Sequence, residues 1–590
     1  MVAIFTGLGA GFERGSATTL GAGGLLGSST LGRAGEGVFL NAANGNLIVQ
    51  RQDEFLAGQG PDIGLSHVYN SIGAYDDPNN DDWRQSTDRR LVSLVGTINT
   101  VGSKITRVSG DGLEIQYTYD DWDLGAGTDY CYRATDGAGA HDKITYNSGS
   151  GVWTWEEGSS HLRETYELSE SDVYRIRTVK DGDNNSLSFT YVSGDPTRLS
   201  RVTTADGSYV QYVWDPTSGN LTKVESYFTN LETSTSQQLT RVYYGYDSQN
   251  RLISVSVDLT PNDNAISDGK TYTLNYGYDG TSNRINLITQ SDGSSLAIAY
   301  TLYGAEYRVT RLTQTVSGTT TPVTRVTDIL YSDATVGGEA VRTTEIRAYR
   351  DATLTGYVAT IVKSVGDQMR EVQMPAAASG QSARTLAYTY NSQGDVTSIT
   401  DTTGARTQLT QYGYDDFGNA TSIVVTPNGQ SGEAITTTRA YVNNNLTLET
   451  VTGSTGSSAE TNLYRRYVYD SENHLRFAIS AEGRVTEYEY EATGELKRTI
   501  AYKTLYSSGS SAPSEGDMTT WRNANGVNAE VKSYEYDARG QLLRAYAFSA
   551  VTSLVENTSD GRSQVNTLYD QSGALLKRWV EGQQQELFVY

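Results

Sequence analysis

The stretch Tyr244-Gly-Tyr246-Asp247-Ser-Gln-Asn250-Arg-Leu252 decides the fold, because the chain repeats it. It returns as Tyr276-Gly-Tyr278-Asp279 with Asn283 and Ile285, and as Tyr388-Thr-Tyr390-Asn391 with Gly394 and Val396. Further copies are Tyr412-Gly-Tyr414-Asp415, Tyr467-Val-Tyr469-Asp470, Tyr488-Glu-Tyr490-Glu491 and Tyr534-Glu-Tyr536-Asp537, with a degenerate one at Tyr569-Asp570. Alternate side chains of a strand share a face, so the two rings of each phrase point the same way and are expected to stack from hairpin to hairpin. The aspartate ends the strand by accepting turn N–H groups, and the Gly or Asn after it supplies a positive φ before the aliphatic residue opens the return strand. A phrase repeated in this way builds a wall, and its aspartates read as turn closures rather than as an array of acids.

Composition agrees with many short strands and tight turns. The 590 residues include 42 Tyr and 60 Gly but only 9 Pro, and tyrosine covers surface that Leu and Ile cover elsewhere. Lys plus Arg (46) against Asp plus Glu (69) gives a net charge of −23, which disfavours nucleic acid and anionic membranes as partners. Cys131 is the single cysteine, so no intrachain disulfide and no multi-cysteine zinc site can form. The first residues lack a basic segment followed by a sustained apolar run, and no later run reaches the length of a membrane-spanning helix. Export from the cytoplasm is therefore expected by a route other than a classical Sec signal peptide, to a secreted or cell-surface location.

Three regions are expected. Residues 1–37, rich in Gly, Ala, Ser and Thr, read as a flexible lead-in or a plug. Residues 38–200 read as an N-terminal β region that opens with a hairpin from Phe39 to Arg51 across Asn44-Gly45. Residues 201–590 read as the repeat region proper, with one short helical insertion expected between Ser511 and Asn528.

These phrases resemble those of RHS or YD-repeat proteins, which include bacterial polymorphic toxins, the shell subunits of insecticidal toxin complexes and the animal teneurins. The segments Asn41-Ala-Ala-Asn44-Gly45-Asn46-Leu and His67-Val-Tyr69-Asn70-Ser71 resemble the stretch preceding the repeats in bacterial members. The resemblance implies an all-β fold, a long antiparallel sheet of tandem hairpins that coils in a spiral as a hollow shell. It also implies an enclosed toxin or effector polypeptide, and export machinery to deliver it. Bacterial members typically end in an Asp-Pro-containing signature at which they cleave themselves. No such signature stands here, since Asp77-Pro78, Asp195-Pro196 and Asp215-Pro216 are isolated turn pairs, so no cleavage residues carry over. The strand-like ending at Leu587-Phe-Val-Tyr590 is expected of a fragment or of one part of a larger shell.

Other chemistry finds little support in the sequence. Asp181-Gly-Asp183-Asn-Asn185 starts like a calcium loop but has Ser186 and Val192 where Gly and Glu are needed, so it reads as a turn. Asp120, Asp121, Asp123 and Asp129 make an acidic group around Trp122 and are read as a solvated loop. His67, His141, His161 and His474 show no metal-ligand spacing, and no nucleophile elbow is present. No cofactor and no catalytic residue is expected. The rival to a shell is an adhesion module that binds glycans or partner cells, with Trp153 and Trp155, which share a strand face, as its stacking pair if they are exposed.

Overall fold

The computed structural model describes residues 3–7, 9–12, 30–31, 36–73, 81–123, 128–134, 139–230, 233–316, 322–349, 353–366, 368–376, 380–453, 462–507, 509–526, 529–548, 563–580 and 582–588. They form two sheets. The smaller has six strands, among them Glu36–Asn41, Leu47–Leu56, Ile63–Asn70 and Trp83–Gln85. Its pairings are antiparallel except that Ala3–Phe5 runs parallel to Glu36–Asn41. The hairpin expected across Asn44-Gly45 is present, with Gly45 at φ +79°. The larger sheet has 37 strands, from Arg90–Val95 to Gln585–Leu587, each running antiparallel to its neighbour in the chain.

The long sheet begins by closing on itself. The strand Val173–Lys180 pairs through Tyr174 and Arg175 with Leu91 and Arg90 of the first strand. Its other end, Thr178–Lys180, pairs with Ser186–Ser188 and leads onward. One strand thus completes a ring and also starts the rest of the sheet, which is how a spiral begins. Later turns then track the rim of the earlier coil in chain order. His141 meets Asp395 and the Asp416 carbonyl, and Asn444 donates to the Gly158 carbonyl. Further along, Arg241 donates to the side chain of Gln571.

The small sheet packs against this coil, touched at Asp181 and Asn185, along the chain as far as Thr344 of Glu339–Tyr349, and again by the turn at Arg539. Together they bury one aromatic and aliphatic core running from Ile4 to Tyr388. We call this small sheet the plug; it takes strands from both sides of the boundary expected at residue 37, while residues 13–29 of the lead-in lie outside the described residues. The boundary expected at residue 200 separates no structural units. Pairing runs unbroken from Ser186–Val192 through Asp195–Thr203 to Tyr209–Trp214.

The helical insertion is Glu515–Asn525, started by a reciprocal cap. The Ser514 hydroxyl accepts from Asp517 N–H at 3.2 Å, and the Asp517 carboxylate accepts from Ser514 N–H at 3.1 Å. Its Met518 and Trp521 pack on Val485, Ile500, Val531 and Phe548, a cluster that also holds Val468, the residue between Tyr467 and Tyr469. The helix therefore covers the sheet face opposite the tyrosines.

Candidate functional site: the tyrosine wall and its plug

Each repeat closes as its sequence dictates. Oδ1 of Asp247, Asp415, Asp470 and Asp537 accepts the N–H groups two and four residues on, at 2.8 to 3.0 Å. Asn391 does the same for Gln393 and Asp395. The residue that resolves each bend has positive φ, as Asn250 (+62°) and Gly394 (+89°) show. Asp279 closes its longer turn by accepting Arg284 Nη2 at 3.1 Å. Tyr412 and Tyr414 stack with ring centroids 6.5 Å apart, which places both rings of a phrase on one face.

Besides the backbone ladder, tyrosine hydroxyls tie successive repeats together. The second tyrosine of a phrase donates to the carbonyl of the residue that opens the return strand of the preceding repeat. Tyr278 reaches Leu252 at 2.6 Å, Tyr414 reaches Val396 at 2.8 Å, and Tyr490 reaches Leu475 and Tyr536 reaches Leu496 at 3.0 Å. The phrase is displaced at its second tyrosine by a β-bulge, for example between Gly413 and Tyr414, and the extra twist aims the ring at the earlier repeat. Tyr414→Phe removes one such bond without changing ring packing, and a loss of about 1 kcal/mol in chemical denaturation is expected. A neutral result would assign cohesion to the rings alone.

The first tyrosines of the early phrases meet the plug. Tyr244 donates to Asp53 at 2.7 Å and Tyr276 to Glu36 at 2.7 Å. Asp53 also holds Arg51 and His67 in ion pairs. Burial would raise its pKa, but the charges of His67 and Arg51 outweigh that and hold it below the usual carboxylate range. Beside it, Glu54 accepts a hydrogen bond from Arg241 at 2.5 Å and forms an ion pair with Arg539 at 3.1 Å, joining the plug to two stretches of the long sheet. Glu36 is different. Burial pushes it up to about 7, against the opposing pull of the Tyr276 bond and Arg51.

A carboxyl raised in the fold stays protonated there while the unfolded chain has already lost its proton. Its full favourable contribution is present below about pH 4.5 and is lost as pH rises through about 7. Glu36→Gln keeps a hydrogen-bonding partner for Tyr276 and removes that titration. The stability difference between variant and parent should then grow by about 3 kcal/mol from pH 4.5 to pH 7.5, as read by denaturant titration. A difference flat with pH would show that Glu36 is ionised in the fold.

The remaining sites fall out differently. Trp153 and Trp155 do not form an exposed stacking pair. They are 0% and 4% exposed inside the first ring, where Trp153 contacts Tyr132, Tyr146 and Tyr174, and the Arg107 guanidinium lies 3.7 Å over Trp155. Inward-facing alternation on a closing ring of strands leaves large aromatics nowhere else to go. Asp181 accepts the amides of Asp183 and Asn185 at 2.9 Å and serves as a turn residue. The side chains of Asp121, Trp122, Asp123 and Asp129 lie outside the described residues. Three histidines, His141, His161 and His474, stand at turns where coil meets coil, and His67 lies under Tyr244.

Beyond Tyr388 the inner face loses its cover. Tyr412, Tyr414, Tyr467, Tyr469, Tyr534 and Tyr536 are half-buried, and the fully buried core that holds Tyr244, Tyr276 and Tyr388 does not include them. The plug contacts were missed in the sequence, although Arg51, Asp53 and Glu54 between the apolar ends of the strand Leu47–Leu56 are a legible sign of buried ion pairing.

A family model described as RHS Repeat matches residues 390–431, so the chain carries the RHS repeat there. No curated protein matches the sequence significantly. Among solved structures, TcdB2-TccC3 without its hypervariable C-terminal region is similar at 12% identity and a TM-score of 0.38, over 92% of this chain and 31% of that one. TcdB2-TccC3 itself gives 11% identity and 0.39, over 92% and 32%. The Photorhabdus luminescens Tc holotoxin pore gives 10% and 0.32, over 92% and 33%. The chain thus spans about a third of the length of these structures' chains.

Proposed function

We propose that this chain is the capped end of an RHS-type β shell, a non-catalytic container that encloses a toxin or other effector polypeptide for delivery outside the cell. The observation that carries this reading is the change along the inner face. The early tyrosines are buried against the plug through Glu36 and Asp53, and Glu54 pairs with Arg241 beside them, whereas the paired tyrosines of the later coil stay half-exposed. A wall of phenol rings offers apolar contact and hydroxyls without a fixed pattern, which suits a polypeptide held without its own fold. The net charge of −23 keeps such a shell soluble and suits a cargo of opposite sign. With Trp153 and Trp155 buried, the glycan-binding rival loses the pair it rested on.

The test is proteolysis of the natural full-length product that contains this chain. Trypsin should leave a cargo fragment intact while the shell is folded and degrade it once the shell is opened by denaturant. Cargo digested as fast in the folded protein as in the denatured one would overturn the reading.

A further inference from the structure

Turn tips of the two coils meet at His141 with Asp395 and again at Asn444 with Gly158, and further along, beside the contact of Ala57 with Ala538, a cavity of about 410 Å³ opens. It shares Phe228, Tyr536 and Leu543 with a second of about 220 Å³. Its floor is apolar and aromatic, made by Phe228, Tyr534, Tyr536 and Leu543. Phe228 stands two residues from Ser226, which bonds the plug's Glu54, so the floor belongs to the inner face.

The rim is acidic. Asp206 is held by the hydroxyls of Thr204 and Ser208, and Glu495 by that of Thr493; neither has a cationic partner among the described residues. Glu491 has only the distant end of an exposed Lys497, at 3.2 Å. Asp62 lies close enough to Glu495 that burial, with that like charge adding to it, pushes its carboxyl up to about 6. Arg544, the one cation on this part of the rim, is taken by Glu535 at 2.7 Å. The cavity therefore combines rings able to face a cation with carboxylates short of one.

We infer that this cavity is a socket for an arginine or lysine side chain of a polypeptide, its methylenes on Phe228 and the two tyrosines and its charge against Glu495 and Asp206. The inference rests on the proposed enclosure for the polypeptide's source, the cargo, and on the cavity alone for its chemistry. Charge complementarity selects the occupant, since an acidic or neutral segment would leave the rim uncompensated. The second chamber continues past Gln237 and Leu239 and gives a flanking apolar residue somewhere to sit.

The experiment uses this chain without cargo. The probe is acetyl-Ala-Arg-Leu-Ala-amide carrying a photoreactive diazirine on its leucine, beside a twin in which citrulline replaces arginine. Calorimetric titration should show the arginine peptide binding about tenfold tighter or more than its uncharged twin. That preference should vanish in the Glu495→Gln, Asp206→Asn double variant, with the melting temperature checked to confirm folding. Cross-links should map to the segments around Phe228 and Leu543. Equal binding of both peptides, or cross-links elsewhere, overturns the socket. Protection of cargo from trypsin is read separately, so a shell that protects cargo but ignores the arginine peptide would fail this inference and leave the enclosure standing.

Discussion

Glu54→Gln is expected to lower the stability of the folded chain by about 3–5 kcal/mol. The Glu54 carboxylate is 3% exposed and is the shared counter-charge of Arg241 and Arg539, themselves 6% and 10% exposed. Burial works against its ionised form, and the two guanidiniums outweigh that and hold its pKa below the usual range. Glutamine keeps the shape but leaves two buried cations facing each other. Because the three residues come from the plug and two stretches of the long sheet, the variant should loosen all three together. Denaturant unfolding followed by tyrosine fluorescence would show the loss as one shifted transition. The pH sense follows from the lowered pKa: the contribution is present above about pH 4.5 and fades as pH falls through the folded value, so the gap between parent and variant should narrow in acid. A control separates charge from packing. The triple variant Glu54→Leu, Arg241→Met, Arg539→Met puts apolar side chains of similar length at all three positions. It should cost far less than Glu54→Gln alone, since no charge is then stranded.

Much of this architecture was legible in the phrase that recurs from Tyr244 onward, because strand period, Asx closure and positive φ are local properties. The turn roles of Asp247, Asp415, Asp470 and Asp537, the same-face rings of Tyr412 and Tyr414, and the insertion around Met518 follow from residues within a few positions of one another. What stayed hidden depends on pairs far apart in the chain. Nothing near Glu36 announces Tyr276, and nothing near His141 announces Asp395. The winding of a sheet past its own start is set by the summed twist of many strands, and no short window carries it. The two tryptophans show the same limit from the other side. Alternation placed Trp153 and Trp155 on one face, but whether that face met solvent or a ring interior depended on Tyr174 returning to pair with Leu91.

That closure makes Trp153→Ala the second large prediction, a loss of about 3–5 kcal/mol. The indole is fully buried among Tyr132, Tyr146 and Tyr174, with ring centroids 5.2, 4.7 and 5.6 Å away, so its removal leaves a void lined by rigid rings. Those rings are held in place and cannot collapse into the gap. Tyr132 hydroxyl accepts from the Asn99 amide at 2.8 Å, and Tyr174 lies on the strand that closes the ring. Trp153→Phe keeps an aromatic edge there and should lose only part of that amount. The consequence reaches beyond the cavity, because Tyr174 and Arg175 pair with Leu91 and Arg90 where the opening ring of strands shuts. Hydrogen exchange should therefore show faster amide exchange in Arg90–Val95 and Val173–Lys180 in the alanine variant, while strands around Tyr412 exchange as in the parent. If instead the whole sheet exchanged faster by the same factor, the ring would not be a separate unit but one segment of a single cooperative wall.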